Sequence, residues 1–174
     1  MISYILAIIT GLAVLGIDQY TKIFMLEYLA NKSNETKIIP GFIDLILVHN
    51  GGGAWGMLSG HTWILLSVTI VILLISVTLL LKMGLQNKPM FWAIILVLSG
   101  GIGNMIDRIF RDGKVVDFLH FTFWSQFPVF NVADIAIVLG AGLLLLYFVI
   151  SSVKESREKK STITKSAEVT DGKN

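Results

Sequence analysis

Residues 63–81 read Trp63-Ile64-Leu65-Leu66-Ser67-Val68-Thr69-Ile70-Val71-Ile72-Leu73-Leu74-Ile75-Ser76-Val77-Thr78-Leu79-Leu80-Leu81, nineteen residues without a charge. About 20 apolar residues in a helix cross the hydrocarbon core of a bilayer. Within that core every backbone N–H and C=O must be satisfied inside the segment, which a helix does and an isolated strand does not. The stretch therefore reads as a transmembrane helix, and three further runs match it in length and character.

After it, Pro89 to Ile106 is uncharged and closes on Gly100-Gly101-Ile102-Gly103-Asn104; then comes Ile135 to Val153, with Asp134 at its mouth. Before it, an apolar run from Ile2 to Ile17 continues into Asp18-Gln19-Tyr20-Thr21-Lys22. That first run lacks a basic n-region and ends in charge instead of a small-residue cleavage site, so a retained helix is expected. The expected fold is an all-α membrane protein of four transmembrane helices, spanning residues 2–22, 63–81, 89–106 and 134–153 in a single domain over 1–153. Residues 154–174, rich in Lys, Glu, Ser and Thr, read as a disordered cytoplasmic tail. Composition agrees with the spans: 54% of the 174 residues are hydrophobic and 15% are charged. Soluble domains sit near about 45–50% and about 25%. A net charge of +2 is too small to suggest nucleic acid as a partner. The lack of cysteine excludes disulfides, thiolate catalysis, Cys-based zinc sites and lipidation of this chain on Cys.

The Lys and Arg distribution sets the orientation. Lys82 and Lys88 lie between the second and third spans, and Lys154, Arg157, Lys159, Lys160 and Lys165 follow the fourth. Lys32, Lys37, Arg108, Arg111 and Lys114 lie on the other side. The modest bias toward the first group puts both termini in the cytoplasm. The opposite side then holds residues 31–61, where a Pro40-Gly41 turn precedes the stretch Ile43-Asp44-Leu45-Ile46-Leu47-Val48 and the run Asn50-Gly51-Gly52-Gly53-Ala54-Trp55-Gly56. A small extracytoplasmic β or loop subdomain is expected there, between the first and second helices, as a sheet or lid on the membrane surface.

Asp18 stands about 24 Å along the first helix at 1.5 Å per residue, near the outer leaflet. Asp107 ends the third span on that side, Asp117 lies in the loop beyond it, and Asp134 opens the fourth. These polar residues should gather at one depth near the extracytoplasmic face, where carboxylates are costly to keep. Spacing alone leaves two readings of Asp117 and Asp134 open. One makes Asp134 a helix cap and Asp117 a solvated loop charge. The other makes them a pair of carboxyls that cannot both ionise and that together activate water.

The residues around them have readings of their own. Asp18 and Lys22, four apart, share a helix face and permit a local salt bridge. Asp107 and Arg108 are adjacent, so they point apart and need different partners; Arg108 suits backbone carbonyls or headgroup phosphate. Asn104 and Asn131 can both donate and accept, which suits orienting a carboxyl or an extended peptide. Gly100, Gly101 and Gly103 would let a substrate helix approach closely. His49, His61 and His120 show no HExxH or similar ligand spacing, so no metal or other cofactor is expected.

Five motifs in order, Asp18-Gln19-Tyr20-Thr21-Lys22, Asn50-Gly51-Gly52-Gly53-Ala54-Trp55-Gly56, Gly100-Gly101-Ile102-Gly103-Asn104-Met105-Ile106-Asp107-Arg108, Val115-Val116-Asp117-Phe118 and Phe130-Asn131-Val132-Ala133-Asp134, resemble those of the lipoprotein signal peptidases (signal peptidase II). The resemblance implies a bacterial inner-membrane aspartic endopeptidase. It would remove the signal peptide from diacylglyceryl-modified prolipoproteins, cleaving N-terminal to the lipidated cysteine. It implies Asp117 and Asp134 as the catalytic pair. Asp18, Lys22, Asn50, Gly52, Asn104, Asp107, Arg108 and Asn131 are then supporting or substrate-contacting positions, in a monomer surrounded by membrane lipids. Ile135 departs from the pattern, since a small residue commonly follows the second aspartate; Gly53 and Trp55 stand where Ala and Phe are more usual. The rival class is a small proton-coupled membrane carrier, because intramembrane carboxylates also mark proton paths. Four spans without a repeat, and acids clustered at one face, count against it. A non-catalytic scaffold is a second rival, and it would tolerate Asp117→Asn and Asp134→Asn.

Overall fold

Helix α3 (Lys88–Phe110) is the spine of the bundle. The computed structural model describes residues 1–32 and 35–171, with side chains to residue 159. In it α3 packs against α1 (Ile2–Ala30), α2 (Thr62–Lys82) and α4 (Val132–Asp171). Small residues let it do so. A Cβ on Gly100 would run into the carbonyl of Ala133, and one on Gly140 would lie 2.6 Å from the Ala93 carbonyl oxygen, so α3 and α4 meet backbone to backbone. A Cβ on Gly103 would lie 2.5 Å from Asp18 Oδ2, which brings α1 onto the same ridge. Two of the three glycines expected to admit a substrate helix are thus filled by the chain itself. Gly101 alone of the three lines an open groove, facing Leu73 of α2.

The outward faces are apolar. Among its residues α2 buries only Ser76 and leaves Ile70, Leu74 and Ile75 exposed, which suits a helix whose surroundings are lipid. All four helices are long and apolar enough to cross a membrane.

Two helices overrun the limits read from sequence. Helix α1 continues past Lys22 to Ala30, because Leu29 at its end is fully buried against Leu45 and Phe118 of the sheet. Helix α4 does not stop at Val153: residues 154–171 are helical where composition suggests disorder. Opposite charges fall one turn apart there, with Glu155–Lys159 at 2.7 Å and Lys154–Glu158 at 4.0 Å. Such exposed pairs each contribute about 0.2–0.5 kcal/mol to a helix. Residues 172–174 of the expected tail lie outside the described residues.

Strands β1 (Glu35–Ile39), β2 (Ile43–Asn50) and β3 (Val115–Phe121) form an antiparallel sheet in that order at one end of the bundle. The first two come from the α1–α2 connection, as expected. The third comes from the α3–α4 connection, where the sequence suggests a loop, and it carries Asp117. Its register sets Val48 opposite Asp117 and Asn50 opposite Val115, after an irregularity between Leu45 and Val48. A single bridge from Leu119 to Phe130 then ties the start of α4 to the free edge of β3.

Candidate active site

Asn131 joins the two aspartates. It precedes the first turn of α4, and its Oδ1 accepts the N–H of Asp134 at 2.9 Å while the Asp134 carboxylate accepts the N–H of Asn131 at 3.1 Å. This is the reciprocal bonding of a capping box, with Asn131 as the cap and Asp134 in the third helical position. The same amide donates through Nδ2 to Asp117 Oδ1 at 2.6 Å. The cap of α4 is therefore Asn131 and not Asp134, and Asp117 is a buried strand residue and not a solvated loop charge; the other oxygen of Asp134 accepts from Asn104 Nδ2 at 2.7 Å. The second oxygen of Asp117 accepts from Asn50 Nδ2 at 2.8 Å. Asn50 is itself oriented, since its Oδ1 takes the N–H of Gly52 at 3.0 Å. Gly52 has no room for a side chain: a Cβ would lie 2.7 Å from Gly56 Cα.

A buried ionic layer stands behind the asparagines. Lys22, with no exposed surface, donates to Asp18 at 3.0 Å, to Asp107 at 3.1 Å and to Asn104 Oδ1 at 3.0 Å, which uses all three ammonium protons. Because Asn104 Oδ1 faces the ammonium, its Nδ2 must face Asp134. Asp18 also accepts the N–H of Ala133 at 2.9 Å, and Asp107 that of Val116 at 3.0 Å. The two carboxylates therefore pin the residues just before Asp134 and Asp117. Gln19 and Arg111 complete the layer. Gln19 Nε2 donates to Asp18 at 3.0 Å and to Asp107 at 3.2 Å, and Arg111 pairs with Asp107. Neither was singled out from sequence, although Arg111 follows Asp107 by four residues, the spacing of a helical ion pair. Asp107 and Arg108 do face apart. Arg108 Nη1 donates to the Asn104 carbonyl at 3.3 Å, and its Nε is buried with no protein partner.

Asp117 and Asp134 line one cavity of about 280 Å³ with Asn50, Asn104, Arg108 and Trp55. Asp117 is 2% exposed. Burial first, and the charge of Asp134 second, push its carboxyl from the ordinary 3.8 up to about 7, against the opposing hydrogen bonds from Asn50 and Asn131. Trp55 closes one side of the cavity. Its Nε1 donates to the Gln126 carbonyl at 3.1 Å across the two connections, and its φ of 54° is a left-handed conformation that a bulky residue rarely adopts. Among the described residues no group of three His, Cys, Asp or Glu is placed to hold a metal ion.

The chain matches known proteins over nearly its whole length. A family model for signal peptidase (SPase) II matches residues 10–150. The lipoprotein signal peptidase of Symbiobacterium thermophilum is 41% identical over 153 residues, covering 86% of this chain and 95% of that one. That of Staphylococcus haemolyticus is 36% identical over 156 residues, covering 89% and 95%. A solved structure of a bacterial membrane enzyme superposes with a TM-score of 0.74 at 32% identity, covering 84% of this chain and 88% of that one. With its four bilayer-length helices and this agreement in sequence and in fold, the chain belongs to the signal peptidase II family and is a multi-pass bacterial membrane peptidase.

Proposed function

We propose that the protein removes the signal peptide from diacylglyceryl-modified prolipoproteins, cleaving on the N-terminal side of the lipidated cysteine with Asp117 and Asp134 as the catalytic pair. One observation carries the reading: a single residue, Asn131, bonds both carboxyls at the wall of one cavity, Asp117 through its side-chain amide and Asp134 through its backbone N–H. The names of the relatives, lipoprotein signal peptidases, support the substrate class.

The two carboxyls share one proton near neutral pH, in keeping with Asp117 being pushed up to about 7. The ionised carboxylate takes a proton from a water molecule, whose oxygen attacks the scissile carbonyl carbon. The protonated carboxyl hydrogen-bonds the carbonyl oxygen as negative charge develops there. Collapse of the tetrahedral intermediate breaks the C–N bond, and the proton taken from water passes to the leaving amine. Arg108, with its unpartnered Nε at the cavity wall, holds a backbone carbonyl of the bound peptide. The signal-peptide helix lies along the groove formed by Ile72, Leu73, Val97, Gly101 and Ile137, which runs from Arg108 between α2 and α4. Both termini lie in the cytoplasm on the Lys and Arg count, which puts the dyad near the extracytoplasmic face. One chain carries every group the reaction needs, so the working unit is a monomer.

The test is cleavage of a purified diacylglyceryl-modified prolipoprotein by wild type, Asp117→Asn and Asp134→Asn, with EDTA and with serine- and cysteine-directed inhibitors. Cleavage by wild type alone, indifferent to all the added reagents, is expected. Activity surviving either substitution refutes the pair. A well-folded wild type that cleaves nothing returns the carrier reading, to be measured as proton flux in proteoliposomes.

A further inference from the structure

Arg111 balances the charge of the buried ionic layer. Asp18 and Asp107 have no exposed surface, and Lys22 lies between them, neutralising one charge of the two. A buried carboxylate left without a cation is costly, so the second needs a partner of its own. Arg111 supplies it from the rim, pairing with Asp107 Oδ1 while its side chain keeps 21% of its surface exposed.

The chain builds this position locally. Arg111 caps the C-terminal end of α3, and its N–H donates to the Asp107 carbonyl at 2.7 Å. A cation there also suits the negative end of the helix dipole. Asp112 and Gly113 then take left-handed φ values of 50° and 79°, which turn the chain back into β3. The reversal brings the Val116 N–H to Asp107 Oδ2 at 3.0 Å. Gln19 Oε1 faces Arg111 Nη1 at 3.5 Å, so the Nε2 of the same amide faces Asp18 and Asp107.

Arg111 touches neither Asp117 nor Asp134, and it lines neither their cavity nor the groove beside Arg108. Its reach is through Asp107. Val116 is held at both ends, its N–H by Asp107 and its carbonyl by Asn131 Nδ2 at 3.4 Å, and the same Nδ2 bonds Asp117. The Lys22 ammonium is shared among Asp18, Asp107 and Asn104 Oδ1, which fixes Asn104 Nδ2 on Asp134. Without the guanidinium, Asp107 is half neutralised and draws the ammonium toward itself. Asn104 is the one neutral acceptor of the three, so its bond is the weakest and gives way first. Its amide then turns from Asp134, and Val116 moves with Asp107.

We infer that Arg111 is a positioning residue for the reaction: its charge keeps Lys22 shared, which holds Asn104 on Asp134 and Val116 where it sets Asp117. The inference rests on the proposed catalytic pair and adds a residue outside every stretch that carries the family resemblance. A misplacement of about 1 Å at a reacting centre lowers the rate by about 100-fold, so a fraction of that shift gives a tenfold loss. An ion pair that only supported the fold would leave turnover by folded protein unchanged.

The experiment measures kcat and KM separately on a purified diacylglyceryl-modified prolipoprotein. It uses the full chain in lipid vesicles, well below the thermal unfolding midpoint of each variant. Arg111→Gln should lower kcat about tenfold and leave KM within about twofold, because the residue touches no substrate. Arg111→Lys restores the charge at similar reach and should recover most of kcat. Lys114→Gln, which removes an exposed charge from the same connection, should change neither. Arg111→Gln with kcat within about twofold of wild type overturns the inference. So does Arg111→Lys turning over as slowly as Arg111→Gln, or a loss confined to KM or to the fraction of folded protein. Failure of wild type to cleave, or cleavage by Asp117→Asn, would instead refute the catalytic pair itself, so the two failures are distinct.

Discussion

Replacing Asp117 by an asparagine should make the protein inactive and, above neutrality, more stable. The carboxyl is 2% exposed and lies on β3, outside the transmembrane helices, so it exchanges between a buried and a hydrated state when the sheet unfolds. Burial raises its pKa from 3.8 to about 7 in the folded state. The folded protein therefore holds this proton more tightly than the unfolded chain. The resulting stability is fully present below pH 3.8, is lost as pH rises toward about 7, and changes no further above it. Between pH 5 and pH 8 that window spans two pH units, worth about 3 kcal/mol at 1.36 kcal/mol per unit. An amide at this position cannot ionise, so the Asp117→Asn variant lacks this slope. Denaturation of wild type and variant in detergent micelles at pH 5 and at pH 8 measures the difference. The variant's advantage should grow by about 3 kcal/mol between the two, and kcat should fall by about 10²–10⁴, the usual contribution of a proton-transfer group. Equal pH slopes for the two proteins would refute the claim that burial raises the Asp117 carboxyl above its ordinary value. Activity within a few-fold of wild type would refute its role in the reaction.

Lys22→Met should destabilise the fold by about 3–5 kcal/mol, because it leaves the buried Asp18 carboxylate without its cation and Asp107 with Arg111 alone. Adding Asp18→Asn should recover part of that loss in the same denaturation assay. Gly103→Ala should also destabilise, since its Cβ would lie 2.5 Å from Asp18 Oδ2. Gly16→Ala, whose Cβ meets nothing within 4 Å, should stabilise by up to about 1 kcal/mol through helix propensity. Thermal unfolding of the pair reads both signs.

How much of this was legible in advance depends on range. The four spans follow from run length, because a bilayer demands bonded backbone and apolar side chains within a fixed thickness, and that demand is written residue by residue. The common depth of Asp18, Asp107 and Asp134 follows from the same arithmetic of helical rise. So does the Asp18–Lys22 pair, which needs only one helical turn. The motif at Val115–Phe118 did not read as a strand, because all four residues are buried and the alternation that marks a half-exposed strand is absent. Glycines 100 and 103 looked open to a substrate and are occupied by α4 and α1, which only packing could show.

Hydropathy and helical period are local properties, so the bare chain already specifies a four-helix membrane protein with its acids at one end. Which acid meets which amide is a matter of packing alone. Asn131 reaches Asp117 only because β3 pairs beside β2 and then hands Phe130 back along its edge. Lys22 orients Asn104 across 82 positions of chain, and no local pattern encodes that meeting. The choice among several buried donors and acceptors is made when the whole cluster closes, because each must find a partner or carry the full cost of leaving water.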